Sequence, residues 1–277
     1  MIPPQSLPAY KQQLIAYFDG LGSRYDGSDI HRQLAARLVA CARLQANHAV
    51  LDIATGTGWV ALLAGALVGP GGRVIGVDLS EAMLERARTK ATGLTNVSFV
   101  RADAEKLSFP PASFDRILCG SALAYLSDIP SALRQWRQLL RPSGLLAFSG
   151  FADTAMINTI VLAQVASRYG VILPPFNEAT GTAERCRLLL EQAGFVDIEV
   201  YTDDLSYPGQ GTPADLQKSW HELLSNPWTL PLHALPPPRL AACRNDYLTA
   251  MGALADKDGG IWNDMLTYAA VGWFPGS

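Results

Sequence analysis

Cysteine is scarce in these 277 residues: Cys41, Cys119, Cys186 and Cys243 are the only four, and no two form a Cys-x-x-Cys pair. That spacing offers neither a disulfide framework nor a thiolate zinc site, and it points to the reducing cytoplasm. Histidine is equally sparse at four, and no group of His, Cys and Asp has metal-ligand spacing, so no metal is expected. Charge is thin as well. The formal net charge is −3 and no basic run stands out, so no nucleic-acid partner is expected. The longest apolar stretch, around Trp59 to Val68, falls far short of the roughly 20 residues a membrane span needs. The first residues, Met1-Ile-Pro-Pro, are not basic and lead into no signal-type apolar run. There is no internal repeat or low-complexity tract. What remains is a chain long enough for one large α/β domain, or a core with a smaller cap, as a monomer or homodimer.

What is present begins at Val50-Leu-Asp52-Ile-Ala54-Thr-Gly56-Thr-Gly58-Trp-Val-Ala61. An apolar strand runs into a glycine turn, a helix follows, and a second strand ends at Gly76-Val-Asp78-Leu79-Ser80. This order holds a nucleoside-bearing cofactor at the edge of a parallel sheet. Gly56 and Gly58 let the backbone approach the ligand, and Asp78 is placed to accept the ribose hydroxyls. The turn also fits G-x-G-x-x-G/A, so by itself it leaves a dinucleotide open. Asp52 favours S-adenosylmethionine: at the tip of the first strand it would repel a pyrophosphate and attract a methionine ammonium group. A Tyr-x-x-x-Lys hydride-transfer set is missing, which further disfavours an NAD-dependent oxidoreductase.

Strands alternate with helices along the chain. Helical spacing joins Leu14, Tyr17, Phe18 and Leu21, with Gly20 and Gly22 ending that helix, and a second helix runs from Leu34 to Leu44. Strands are expected at 49–53, 73–77, 97–101, 116–119, 145–149 and 196–201. Helices follow the glycine turn and Ser80, a good cap, and further helices are expected at 154–169 and 184–192. Such alternation gives a doubly wound parallel sheet with right-handed crossovers. From Pro208 to Gly260 the chain is rich in Pro and Trp, with helical pieces at 213–224 and 240–254, and Leu266 to Trp273 reads as a final strand.

Val97-Ser-Phe-Val-Arg-Ala-Asp103-Ala104-Glu-Lys-Leu, Phe114-Asp-Arg-Ile-Leu-Cys119 and Leu139-Leu-Arg-Pro-Ser-Gly-Leu-Leu-Ala-Phe-Ser149 complete the order. With the glycine turn, these segments resemble the class I S-adenosylmethionine-dependent methyltransferases. The likeness is greatest to the small-molecule branch of ubiquinone/menaquinone-biosynthesis and natural-product tailoring enzymes. Tyr17-Phe-Asp-Gly-Leu-Gly-Ser-Arg-Tyr25-Asp26 is similar to that branch's N-terminal lid, and Ile30-His31-Arg32 to the segment after it. Two departures stand out. Ala54 replaces the first glycine of D-x-G-x-G-x-G, and Ala122-Leu-Ala-Tyr125 stands where many relatives carry His-His.

The resemblance implies an α/β, Rossmann-like, doubly wound seven-stranded sheet, mostly parallel with its last strand antiparallel. An N-terminal helical lid would occupy 1–45, the cofactor-binding core 46–207 and 261–277, and a helical substrate cap 208–260, inserted between strands six and seven. It implies a cytoplasmic enzyme moving a methyl group from S-adenosylmethionine to O, N or C of a small metabolite, leaving S-adenosylhomocysteine. The same fold also serves proteins that bind this cofactor and do other chemistry.

Cofactor contacts are then expected from Tyr25, Asp52, Ala54, Gly56, Gly58, Asp78, Leu79, Met83, Asp103, Ala104 and Cys119. In this set Asp103 reads the adenine amino group, Met83 packs on the ring, and the Cys119 carbonyl faces the methionine end. Met83 at helical spacing also fits plain core, and Asp103 a solvated turn. His31 and His221 are the candidate bases if a proton must be removed; each could equally cap or cover a helix. Tyr125, Trp220 and Trp228 are the candidate acceptor contacts, and Trp220, Trp228, Tyr247 and Trp262 suit an apolar or aromatic acceptor. The tryptophans could instead build the core of a small helical subdomain.

Overall fold

The structure, a computed structural model, describes residues 7–21, 25–27 and 29–276. It divides into two compact units, residues 1–150, 182–203 and 268–277 forming the first, and 151–181 and 204–267 the second. The chain opens with α1 (Ala9–Leu21) and α2 (Ile30–Cys41), then β1 (Ala49–Ile53), α3 (Trp59–Val68), β2 (Arg73–Asp78), α4 (Glu81–Lys90) and β3 (Val97–Arg101). It continues with β4 (Phe114–Cys119), α5 (Ile129–Leu139), β5 (Leu140–Phe151), α6 (Ile157–Arg168), α7 (Ala183–Gln192) and β6 (Val196–Asp204). Last come β7 (Tyr207–Gln210), α8 (Pro213–Ser225), α9 (Pro237–Gly252), β8 (Gly260–Asn263) and β9 (Leu266–Trp273).

Seven strands form one sheet in the order β3-β2-β1-β4-β5-β9-β6, mostly parallel with the last strand antiparallel, as the sequence implied. Strand order reverses between β1 and β4, the switch point where open α/β sheets bind ligands beyond the strand ends. Ile53 pairs with Val77 on one side and Cys119 on the other. That register brings the chain after β1, the end of β2 and the end of β4 to one edge.

Alternation in β1 divides two cores. Leu51 and Ile53 face a layer with Phe114, Phe148 and Trp136, while Val50 faces Leu38 of α2 and Ala61 and Ala64 of α3. Trp136 is fully buried and its indole N–H donates to the Ala104 carbonyl at 2.8 Å. Truncating a side chain so placed costs about 3–5 kcal/mol. Helix starts carry the caps their sequences promise: Ser80 accepts from the Met83 N–H, Asp128 from Ser131, Thr182 from Arg185. Arg116, buried in β4, donates to the carbonyls of Ala42 and Arg43 and so closes the end of α2.

The second unit has its own core. Val161, Leu162 and Val165 of α6 meet Leu216, Trp220 and Leu223 of α8 and Cys243, Tyr247 and Met251 of α9. These spacings put one apolar stripe on each helix. Two features differ from the sequence expectation. Helix α6 belongs to this unit, whereas the sequence placed it with the core; its stripe is matched by α8 and α9. A short antiparallel pair, β7 with β8, runs at the start and close of the helical segment; Pro208 and Gly209 hide it from strand propensities. Among the described residues no helix is long and apolar enough to cross a membrane.

Candidate active site

The site is built from the turn after β1. Gly56 and Gly58 hold φ of +55° and +89°, a backbone region glycine adopts freely. A Cβ on Gly58 would lie 3.0 Å from the Ala87 Cβ and 3.1 Å from the Phe99 ring. Ala54, where the family pattern has glycine, also sits at positive φ, 54°, despite its side chain. Ser121, just past β4, does the same. Both edges of the switch point therefore carry backbone strain, as binding sites often do.

Asp52 is 1% exposed. One oxygen accepts from the Thr55 hydroxyl at 2.5 Å and the Ala61 N–H at 3.0 Å. Its other oxygen is buried without a hydrogen-bond partner. Burial pushes this carboxyl up to about 7, the hydrogen bonds from Thr55 and Ala61 opposing, and the charge of Asp78 adds to the rise. A buried, unsatisfied acceptor beside a glycine turn fits a cationic ligand group.

Asp78 joins β2 to that turn. Its oxygens accept the Gly56 N–H at 2.8 Å and the Ser80 N–H at 2.9 Å. Desolvation raises its pKa against the pull of these backbone bonds. Leu79 follows, its carbonyl held by Arg101 at 2.9 Å, and Met83 on α4 is 2% exposed. Ser80 also donates to Asp19 of α1 at 2.5 Å.

Asp103 and Ala104 follow β3. Asp103 is 1% exposed, and the Lys11 ammonium of α1 donates to both of its oxygens at 2.7 Å. Lys11 also pairs with Glu105 at 2.6 Å. Cys119, at the end of β4, is fully buried and its thiol pKa is raised by burial.

Tyr25 and Asp26 come from the lid-like segment, in which Gly22, Ser23 and Arg24 lie outside the described residues. The Tyr25 hydroxyl lies 3.8 Å from where a Gly56 Cβ would be, and its ring stacks on His31 at 4.2 Å and 5°. Burial, then the charges of Asp78 and Asp26, keeps the Tyr25 phenol protonated. Burial lowers the His31 pKa; Asp26 opposes this and Lys90 adds to it. Phe18 bridges edge-on to Tyr25 (6.3 Å) and Tyr125 (5.3 Å). Tyr25, His31, Phe18 and Tyr125 thus form one aromatic chain at the glycine turn.

Asp26 holds a role that the sequence alone does not assign to it. It accepts from Thr57 (2.7 Å), the Trp59 indole (2.9 Å) and Lys90 (3.1 Å), whose ammonium also sits 4.2 Å over the Trp59 ring. Burial works against the ionised Asp26, but these hydrogen bonds outweigh it and lower its pKa. The signal was available in part, since an acid beside the lid tyrosine has the hydroxyl of the motif turn as a partner. Lys11 had no such signal.

His221, Trp220 and Trp228 lie in the second unit. His221 is exposed and its Nδ1 is 2.6 Å from the Gln217 carbonyl of its own helix. Trp220 is 3% exposed and packs on Tyr247 at 5.5 Å, inside that unit's core. Trp228 is half-buried, donates to the Pro174 carbonyl at 2.8 Å and meets Phe176 edge-on. Among the described residues no group of His, Cys, Asp and Glu could hold a metal.

The chain resembles known proteins both in sequence and in fold. A family model described as a methyltransferase domain matches residues 50–144. The chain is 28% identical to nocamycin O-methyltransferase of Saccharothrix syringae over 77% of this chain and 83% of that one. It is 35% identical to the aklanonic acid methyltransferase DauC of Streptomyces sp. strain C5, over 51% of this chain and 66% of that one. Among solved structures, the YcgJ protein of Bacillus subtilis superposes with a TM-score of 0.60 at 20% identity, over 89% of this chain and all of that one. That last likeness speaks for the fold.

Proposed function

We propose that this chain is a class I S-adenosylmethionine-dependent methyltransferase acting on small molecules, with an apolar or aromatic metabolite as its acceptor. The observation that carries the cofactor assignment is the unpartnered, buried oxygen of Asp52 beside the Gly56–Gly58 turn. S-adenosylmethionine, when bound, supplies a methyl group already activated on a sulfonium sulfur, and S-adenosylhomocysteine is the product.

The protein's own share is to bind, orient and shield. Asp52 takes the ammonium group of the methionine end. Asp78 keeps lone pairs beyond those used by Gly56 and Ser80, and these accept the ribose hydroxyls. Leu79 and Met83 flank the adenine, whose edge is read by Asp103 and the backbone of Ala104. Ala54 and the carbonyl of Cys119 would border the methionine end, and Tyr25 lies over Gly56. On the acceptor side stand Tyr125 and His31. With its pKa lowered by burial, His31 is neutral at pH 7 and free to take a proton from a phenol or carbon acid. In-line alignment accounts for the rest of the rate. His221 bonds to its own helix, which makes it the weaker candidate base. Trp220 serves the core of its own unit, and Trp228 is the tryptophan retained as a candidate acceptor contact.

One similar enzyme is named for O-methylation of nocamycin and another for aklanonic acid. They support natural-product tailoring, with hydroxyl or carboxyl oxygen as the first acceptors to test. The reading needs no metal, nucleic acid or membrane, and four free thiols suit the cytoplasm. Calorimetric titration tests it directly. S-adenosylmethionine and S-adenosylhomocysteine should bind with dissociation constants in the micromolar range, about −7 to −9 kcal/mol. Binding of NAD with no heat from either ligand would overturn it. A screen of phenols, carboxylic acids, indoles and amines with the methyl donor then identifies the acceptor class.

A further inference from the structure

We propose that Lys11 sets cofactor affinity by competing with the adenine amino group for Asp103, and that Glu105 is the second seat to which Lys11 yields. This rests on the reading of Asp103 as the adenine acid.

The placement is unusual for a lysine. Its side chain is 6% exposed, and its ammonium reaches both oxygens of Asp103 from a helix 92 residues away in sequence. Asp103 accepts in addition the Glu105 N–H at 3.0 Å. Oδ1 thus accepts twice and Oδ2 once in a residue that is almost wholly buried, so an incoming amino group must share Oδ2 with the Lys11 ammonium or displace it. An ammonium expelled outright would leave Asp103 and Glu105 facing each other without a cation, which is strongly unfavourable in a buried site. Glu105 removes that difficulty. It already holds Lys11 at 2.6 Å, and its other oxygen is fixed by the Asp128 N–H at 2.7 Å. Lys11 can release Asp103 and remain paired. The exchange is then local: the neutral adenine amino group replaces one set of hydrogen bonds, and the charge stays compensated.

Binding of S-adenosylhomocysteine by titration calorimetry to parent, Glu105→Gln, Lys11→Met, the double variant and Asp103→Asn tests this, with each fold checked by thermal melting. Glu105→Gln should weaken binding on the order of tenfold, because Lys11 then has only Asp103. Lys11→Met should tighten binding severalfold, and in that background Glu105→Gln should change nothing. If Lys11→Met alone does not fold, recovery of affinity in the double variant relative to Glu105→Gln carries the same information. Unchanged affinity in Glu105→Gln, or an equal loss with and without Lys11, overturns the competition. Failure of the underlying adenine reading is separate: Asp103→Asn would then bind as the parent does.

Discussion

Asp52 should make cofactor binding depend on pH in the neutral range. With a carboxyl titrating at about 7, about nine-tenths of the protein carries a protonated Asp52 at pH 6 and about one-tenth at pH 8. Only the carboxylate attracts an ammonium group. The affinity for S-adenosylhomocysteine should therefore fall roughly tenfold from pH 8 to pH 6, about 1.4 kcal/mol. Binding at pH 6 should release close to one proton. Titrations in two buffers of different ionisation enthalpy measure that release directly. His31 also titrates below its ordinary range, so the same experiment on His31→Ala separates the two groups. Stability runs the other way. The folded pKa of Asp52 lies above the unfolded value near 3.9, so the folded protein binds the extra proton and loses stability as pH rises from about 4 to 7. Asp52→Asn should be flat in both respects, with weaker binding at pH 8. An affinity constant between pH 6 and 8, with no proton released, would refute the assignment of the unpartnered oxygen to the ammonium group.

Other substitutions probe the remaining elements. Asp78→Ala should weaken S-adenosylhomocysteine binding by about 1.5–3 kcal/mol without loss of fold; normal binding in a calorimeter would remove it from the ribose site. His31→Ala should lower kcat by about 10²- to 10⁴-fold with a phenolic acceptor while the cofactor still binds; an unchanged rate means that alignment alone carries the reaction. Ala54→Gly should raise the melting temperature, since relief of a left-handed alanine is worth about 1–2 kcal/mol, and a lower value would show that its methyl group packs usefully.

The sheet and its strand ends were open to sequence reasoning because they rest on local, periodic signals. β9 was read at its observed bounds, and Ser80 as a cap is visible from the residues alone. The turn at Gly56 and Gly58 is legible for the same reason, since only glycine adopts its backbone cheaply. What could not be read depends on chain separation. Lys11 at the surface of an amphipathic helix looks like any solvated lysine until α1 is laid beside Asp103. Trp220 could be acceptor contact or core by spacing alone, and only the packing of α6, α8 and α9 puts it in a core. The β7–β8 pair failed for a physical reason too, because its strength lies in backbone pairing between residues with poor strand propensity.

That pair has an engineering consequence. Tyr207 lies opposite Asn263 and Gln210 opposite Gly260, and the Gly211 N–H donates to the Gly259 carbonyl at 3.0 Å. Everything from 211 to 259 therefore leaves and returns at neighbouring backbone atoms. Closing a loop whose ends are already joined costs little more when it is lengthened, since doubling it adds only about 0.6 kcal/mol. The segment behaves as an exchangeable cassette, constrained chiefly by the apolar stripe of α6 against which α9 packs. Grafts that keep Val161, Leu162 and Val165 matched should fold, while the cofactor turn 50 residues into the chain stays as it is.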